Sequence, residues 1–151
     1  EMKARALRMK DVDCIVIDYL QLMSGTKRSE NRVNEVSEIT RGLKMMAKDL
    51  NIPVVTFSQL SRGVAKNSND HRPQMTDLRE SGTIEQDADI VLMLHREDYY
   101  KNNEEDSDTE SANIAEVIVG KNRHGSTETV KVAWNPEFTM FSTLERIKDD
   151  R

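Results

Sequence analysis

Cysteine occurs once in these 151 residues, at Cys14, so no internal disulfide and no cysteine-based metal cluster can form. A lone thiol at the head of an apolar run reads as a buried core residue in a reducing, cytoplasmic protein. Aromatic residues make up 5% of the chain. None lies among the loop cations described below, which argues against the base-stacking platforms of single-strand binders. No apolar run approaches the roughly 20 residues that a membrane-spanning helix needs. The opening stretch "EMKARALRMK" is charged and has no apolar centre of the secretory kind. Both glycine-rich phosphate cradles, GxxxxGK[ST] and GxGxxG, are missing.

What is present is a soluble, globular composition: 36% hydrophobic, 32% charged, with a net charge of −5. That total is a poor guide to partners. Between Glu97 and Glu110 stand Glu97, Asp98, Glu104, Glu105, Asp106, Asp108 and Glu110, against the single base Lys101. Most of the negative charge is thus gathered in one stretch, which reads as a solvated acidic loop over 97–112 within a single domain spanning 1–151. The remainder is close to neutral and is compatible with a nucleic-acid partner held by a few local cations.

Val12 to Asp18 reads as a strand buried on both faces, as in a parallel sheet. "SGTKRSEN", Ser24 to Asn31, is a loop. Val33, Val36, Ile39, Leu43, Met46, Ala47 and Leu50 then recur every three or four residues, the spacing of an amphipathic helix. Ser29 or Asn31 can cap its start, and Asn51 and Pro53 mark its end. Val54 to Ser58 is a second strand. Strand, helix, strand is a crossover unit and points to parallel pairing. Ser61 to Thr76 is a long polar loop, of a length usually functional in a compact domain. A short helix is expected around Thr83 to Gln86, a third strand over Asp89 to Leu94, and a hairpin from Ile114–Gly120 and Glu128–Trp134. "FTMFSTL" can add another strand.

Four features can carry chemistry. Asp18 ends an apolar strand, the Walker-B arrangement, in which a carboxylate holds a magnesium-bound water beside nucleotide phosphates. A strand-end Asp can equally cap the next turn. Gln59, in "SQLSR", follows the second strand as Asp18 follows the first, and parallel pairing puts both on one edge. Its amide can donate to a γ-phosphate, or it can be a plain turn residue. The loop cations Lys27, Arg28, Arg32, Arg62, Lys66, Arg72 and Arg79 can converge on a phosphate backbone or simply face solvent. In "GKNRHG", Lys121 and Arg123 sit two apart in a hairpin turn, and an Arg on a stiff hairpin suits a neighbouring subunit's phosphate. His124 reads as a turn residue, and His71 and His95 have no partner at metal spacing.

The order of these motifs is more informative than any one of them. "IVIDYLQLM", "ENRVNEVSEITRGLK", "IPVVTFSQLSR", "DLRESGTIEQDADIV", "EDYY" and "KNRHG" together resemble the carboxyl-terminal motor domain of DnaB-type replicative helicases, from Val12 to Glu145. The resemblance implies a RecA-like α/β fold, mostly parallel, with an antiparallel hairpin near the C-terminus and without its first strands. It implies a homo-hexameric ring with ATP and Mg2+ between subunits and single-stranded DNA in the channel, in a bacterial or phage-infected cytoplasm. Primase and a helicase loader are the further partners it implies. By position, Asp18 matches the Walker-B acid, Gln59 the γ-phosphate-linked glutamine, and Arg123 the arginine finger with Lys121 beside it. Arg28 lies in the first loop after Asp18. Arg62, Arg79, Glu80 and Gly82 match positions at or near the DNA-contacting loops. Asn122 stands where many relatives carry Gln, and the family's phosphate loop and water-activating Glu would lie upstream of Asp18. Two other readings fit parts of the pattern: another RecA-like ATPase such as a recombinase, and a partner-binding module that keeps the motor fold without its chemistry.

Overall fold

The computed structural model describes residues 1–9, 11–25, 31–60, 71–98 and 113–144, with 79–82 described by their main chain. Most of the expected acidic loop, 99–112, lies outside the described residues, as do Lys27, Arg28, Arg62 and Lys66. The chain forms two compact units, Glu1–Ser61 with Met75–Ala88, and Arg62–Gln74 with Asp89–Arg151. No helix among the described residues is long and apolar enough to cross a membrane.

The first unit is organised by one long helix. After α1 (Met2–Arg8) and β1 (Ile15–Ile17), α2 runs over Arg32–Leu50. It begins where expected because the Asn31 side chain accepts a hydrogen bond from the Val33 N–H at 2.9 Å, satisfying a donor that the first turn leaves open. It ends at Asn51, which takes a left-handed conformation (φ 54°) and turns its N–H back onto the Ala47 and Lys48 carbonyls. Pro53 then prevents continuation. Val36, Ile39, Leu43 and Met46 form the buried stripe, packed with Leu20 and Ile84 and flanked by Ile15, Ile17, Met23, Leu50 and Val54. Fully burying a side chain of this kind contributes about 1.5–3 kcal/mol.

β1 pairs in parallel with β2 (Val54–Thr56), Ile15 beside Val54 and Ile17 beside Thr56. Both strands are shorter than the sequence indicates. Their faces are also unequal: Ile15 and Ile17 turn toward the core while Val16 and Val55 are exposed. The expectation of a strand buried on both faces is therefore corrected, and so is the expectation for Cys14, which is exposed. Apolarity reports what a face can bury, and in these strands only the side under α2 is covered. A 3₁₀ segment, Met75–Ser81, leads into α3, Gly82–Asp87. Two side-chain bonds hold α3 to α2: the Thr40 hydroxyl donates to Asp87 at 2.8 Å, and the Thr83 hydroxyl donates to Ser37 at 2.8 Å.

The second unit is a four-stranded antiparallel sheet in the order β3 (Ile90–Arg96), β4 (Ile114–Asn122), β5 (Thr129–Asn135), β6 (Met140–Ser142). The third strand thus pairs with the hairpin. Its apolar run hides a clean alternation: Val91, Met93 and His95 are buried while Ile90, Leu92 and Leu94 are exposed. The β3–β4 register slips by one between Val91 and Leu92, whose partners are Lys121 and Val119, leaving Gly120 over as a bulge. Glu116 is buried, and its carboxylate receives Nε and Nη2 of Arg72. Trp134 packs on Phe141 with ring centroids 4.7 Å apart, and the Arg96 guanidinium lies over the indole, also 4.7 Å from its centroid.

Candidate functional site

In the first unit, in-register parallel pairing brings the carboxyl ends of β1 and β2 to one rim. The ladder runs on past the strands: Phe57 N–H donates to the Ile17 carbonyl at 3.0 Å, and Leu20 N–H donates to the Phe57 carbonyl at 2.9 Å. Asp18 directly follows β1 and Gln59 lies three residues beyond Thr56, so both stand on that rim. Both residues are exposed. Among the described residues, no hydrogen bond or ion pair engages the Asp18 carboxylate or the Gln59 side-chain amide, and both remain open to a ligand.

No group of three or more His, Cys, Asp or Glu among the described residues could hold a metal by itself. A single exposed carboxylate at a strand end is the donor set that suits magnesium held through water together with substrate phosphates. Asp18 fits that role as one contributor.

A residue not singled out from the sequence organises this rim. Gln21 lies in the 3₁₀ turn Leu20–Leu22 just after Asp18. Its side-chain Nε2 donates to Ser58 Oγ at 3.0 Å and to the Gln59 carbonyl at 3.3 Å, while its Oε1 accepts from the Gln59 N–H at 3.3 Å. Its own carbonyl accepts Nη2 of Arg32 at 2.7 Å, and the Met23 carbonyl accepts Nη1 at 3.3 Å. Arg32 also pairs with Glu35, whose other oxygen accepts the Gly25 N–H at 2.8 Å. That backbone donor, with Arg32 beside it, holds the Glu35 carboxyl below the usual glutamate range. Arg32, grouped above with the phosphate-seeking loop cations, is thus a bracket between α2 and the turn after Asp18. Arg72, from the same group, is committed to Glu116.

In the second unit, β4 persists through Asn122, opposite Ile90. Arg123 continues the pairing: its N–H donates to the Asp89 carbonyl at 2.9 Å, and its Nε lies 3.2 Å from Asp89 Oδ1. Lys121 opposes Val91 and Arg123 opposes Asp89, so the two cations share a face of the sheet. The Arg123 side chain is 47% exposed, at the tip of the hairpin. Asn122 braces that tip, its side chain accepting the His124 N–H and donating to the Ser126 carbonyl, both at 3.3 Å. A Cβ on Gly125 would lie 2.6 Å from the Asn122 amide nitrogen, so glycine keeps this brace possible. Asp89 also escaped sequence reasoning. Its signal was an acid opening a strand whose antiparallel partner ends in a base.

Of the remaining candidates, Arg79 and Glu80 fall in the 3₁₀ segment and Gly82 opens α3. Arg28 and Arg62 lie outside the described residues.

Known proteins resemble this chain along nearly its whole length. The family described as "DnaB-like helicase C terminal domain" matches residues 1–143. Replicative DNA helicase DnaC of Bacillus subtilis (strain 168) is 50% identical over 154 residues, covering 99% of this chain and 33% of that protein. Replicative DNA helicase DnaB of Geobacillus stearothermophilus is 49% identical over 154 residues, again 99% of this chain and 33% of that protein. The chain therefore spans about a third of the length of these relatives. Among solved structures, one described as an ATPase domain superposes with a TM-score of 0.84 at 44% identity, covering 95% of this chain and 50% of that one. "The Structure Of A DnaB-Like Replicative Helicase And Its Interactions With Primase" superposes at 0.83 and 44% identity, covering 95% and 34%.

Proposed function

The chain belongs to the DnaB-like helicase C-terminal domain family, and from that premise we propose that it is part of the ATP-driven motor of a replicative DNA helicase. The whole protein works as a ring of six that moves along single-stranded DNA and separates the duplex, in a bacterial or phage-infected cytoplasm. A primase and a helicase loader are its partners. The observation that carries this reading is the shared rim: parallel β1 and β2 in register, with the unengaged side chains of Asp18 and Gln59 at the same end. Ligands in open α/β sheets gather at such ends.

The division of labour follows from side-chain chemistry. Asp18 would hold magnesium through water, and the ion would supply positive charge beside the transferring phosphoryl group of ATP. Gln59 donates its amide to the γ-phosphate oxygen and loses that acceptor after hydrolysis. Arg123 is planar, permanently charged and exposed on a braced hairpin, which suits it to stabilise the transition state on a neighbouring subunit's ATP, with Lys121 on the same face. Arg28, Arg62 and Arg79 hold the DNA backbone, Gly82 lets a backbone N–H approach a phosphate, and Glu80 positions a nearby Arg. The acidic stretch 97–112 is an insertion within the same domain.

The test uses the full-length ring. Arg123→Ala should leave ATP binding largely intact and cut DNA-stimulated hydrolysis by on the order of 10³ or more. Asp18→Ala should also be inactive. Mixing the two variants should restore part of the rate, since some interfaces then combine Asp18 of one subunit with Arg123 of another. Parent-like hydrolysis by Arg123→Ala, or mixtures no better than either variant alone, refutes the action in trans.

A further inference from the structure

We propose that Gln21 is a positioning residue that fixes Gln59 to the turn following Asp18 and couples it to the chain at Met23–Gly25. The inference rests on the reading of Gln59 as the residue that meets the γ-phosphate. Gln21 is half-buried on the rim and is the point at which two sets of bonds meet. Its side-chain amide faces the Gln59 main chain with donor to acceptor and acceptor to donor, as one rung of a sheet would, and adds a bond to Ser58. Its main-chain carbonyl takes the Arg32 guanidinium, which also holds the Met23 carbonyl and pairs with Glu35. Glu35 in turn holds the Gly25 N–H. Gln59 is therefore held in register with residues 23–25 while the Gln21 contact lasts, and a displacement of Gln59 on loss of the γ-phosphate releases it from them.

The geometry is suited to a joint that moves. The bonds to Gln59 are 3.3 Å long, at the weak end of the range, whereas the Arg32 bond to the Gln21 carbonyl is 2.7 Å and charge-assisted. The contact with Gln59 is the one that yields first. The turn itself stays anchored to α2. Asp18, three residues before Gln21, keeps its position through the β1–β2 ladder whether or not the amide is present.

The test compares Gln21→Met with Gln59→Ala in the full-length protein, reading ATP hydrolysis with and without single-stranded DNA. Gln21→Met keeps the side chain's length and removes its polar atoms. It should leave the KM for ATP within about twofold, lower the DNA-stimulated kcat by about tenfold, and add no further loss in the Gln59→Ala background. Parent-like stimulation in Gln21→Met, with stimulation lost in Gln59→Ala, overturns the role of Gln21 alone. Full stimulation in Gln59→Ala overturns the underlying reading of Gln59. Additive losses in the double variant mean that Gln21 acts elsewhere and also overturn the inference. If Gln21→Met does not assemble, Gln21→Glu, which keeps the acceptor for the Gln59 N–H and loses the donor, should show the same loss to a smaller degree. If neither variant assembles, Gln21 serves folding and the proposal fails.

Discussion

Replacing Arg72 by alanine separates two roles that an arginine on a polar loop can play. Arg72 directs Nε to Glu116 Oε2 at 2.9 Å and Nη2 to both carboxylate oxygens. The Glu116 side chain is only 12% exposed, whereas that of Arg72 is 48% exposed. Breaking a fully buried pair costs about 3–5 kcal/mol, because the surviving charge is left without compensation. An exposed pair is worth about 0–1 kcal/mol. With one end buried and the other half in water, Arg72→Ala should cost about 2 kcal/mol, or roughly 30-fold in the folding equilibrium. Replacing both residues by apolar ones, Arg72→Met with Glu116→Leu, should return most of that loss, since no buried charge then remains. Urea unfolding of the two variants gives the stabilities. The salt dependence of single-stranded DNA binding gives the second readout, and Arg72→Ala should leave its slope unchanged. A slope reduced by about one unit with stability unaltered would refute this reasoning and make Arg72 a phosphate contact.

Three further outcomes follow from the first unit. Leu43→Ala, in the buried stripe of α2, should lower stability by about 2–5 kcal/mol in urea unfolding, whereas Met45→Ala on the exposed face should cost far less. Asn31→Ala removes the helix cap and should cost about 1 kcal/mol, with Asn31→Ser restoring most of it. Folding lowers the Glu35 pKa, so the folded state binds this proton less readily than the unfolded chain does. Its contribution is complete above the unfolded value, about 4.3, and is lost as pH falls through the lower folded value. Glu35→Gln should therefore flatten the acid limb of the stability–pH curve, and an unchanged limb would contradict the network around Gly25.

The long helix, both of its ends and the hairpin were legible because each is written locally, in spacing, a capping side chain and alternation. The RecA-like fold class expected from the motif order is the one observed, in agreement with the structural neighbours. Partnership was less legible. "DIVLML" is an unbroken apolar run, and nothing in it says that β3 pairs antiparallel with β4 and exposes Ile90, Leu92 and Leu94. Cys14 misleads for the same reason, since an apolar run follows it but its own position is not covered. At the site, Asp18, Gln59 and Arg123 stood out because unusual side chains follow apolar runs or sit between glycines. Gln21, Asp89 and Glu116 did not stand out. Each acts on a residue far along the chain, brought close only when the strands pair.

The leftover Gly120 in β4 has a consequence for how the hairpin tip could be re-aimed. A bulge takes up its spare residue: Val119 stands opposite Leu92 and Lys121 opposite Val91, so the residues on either side of Gly120 keep the faces they would have without it. Delete it, and the hairpin would keep its pairing and its charge, with the guanidinium at 123 still beside Asp89, but the strand would lose the bend and the added twist that a bulge brings. The aim of the proposed finger is thus a matter of curvature, set by a residue that has no side chain at all.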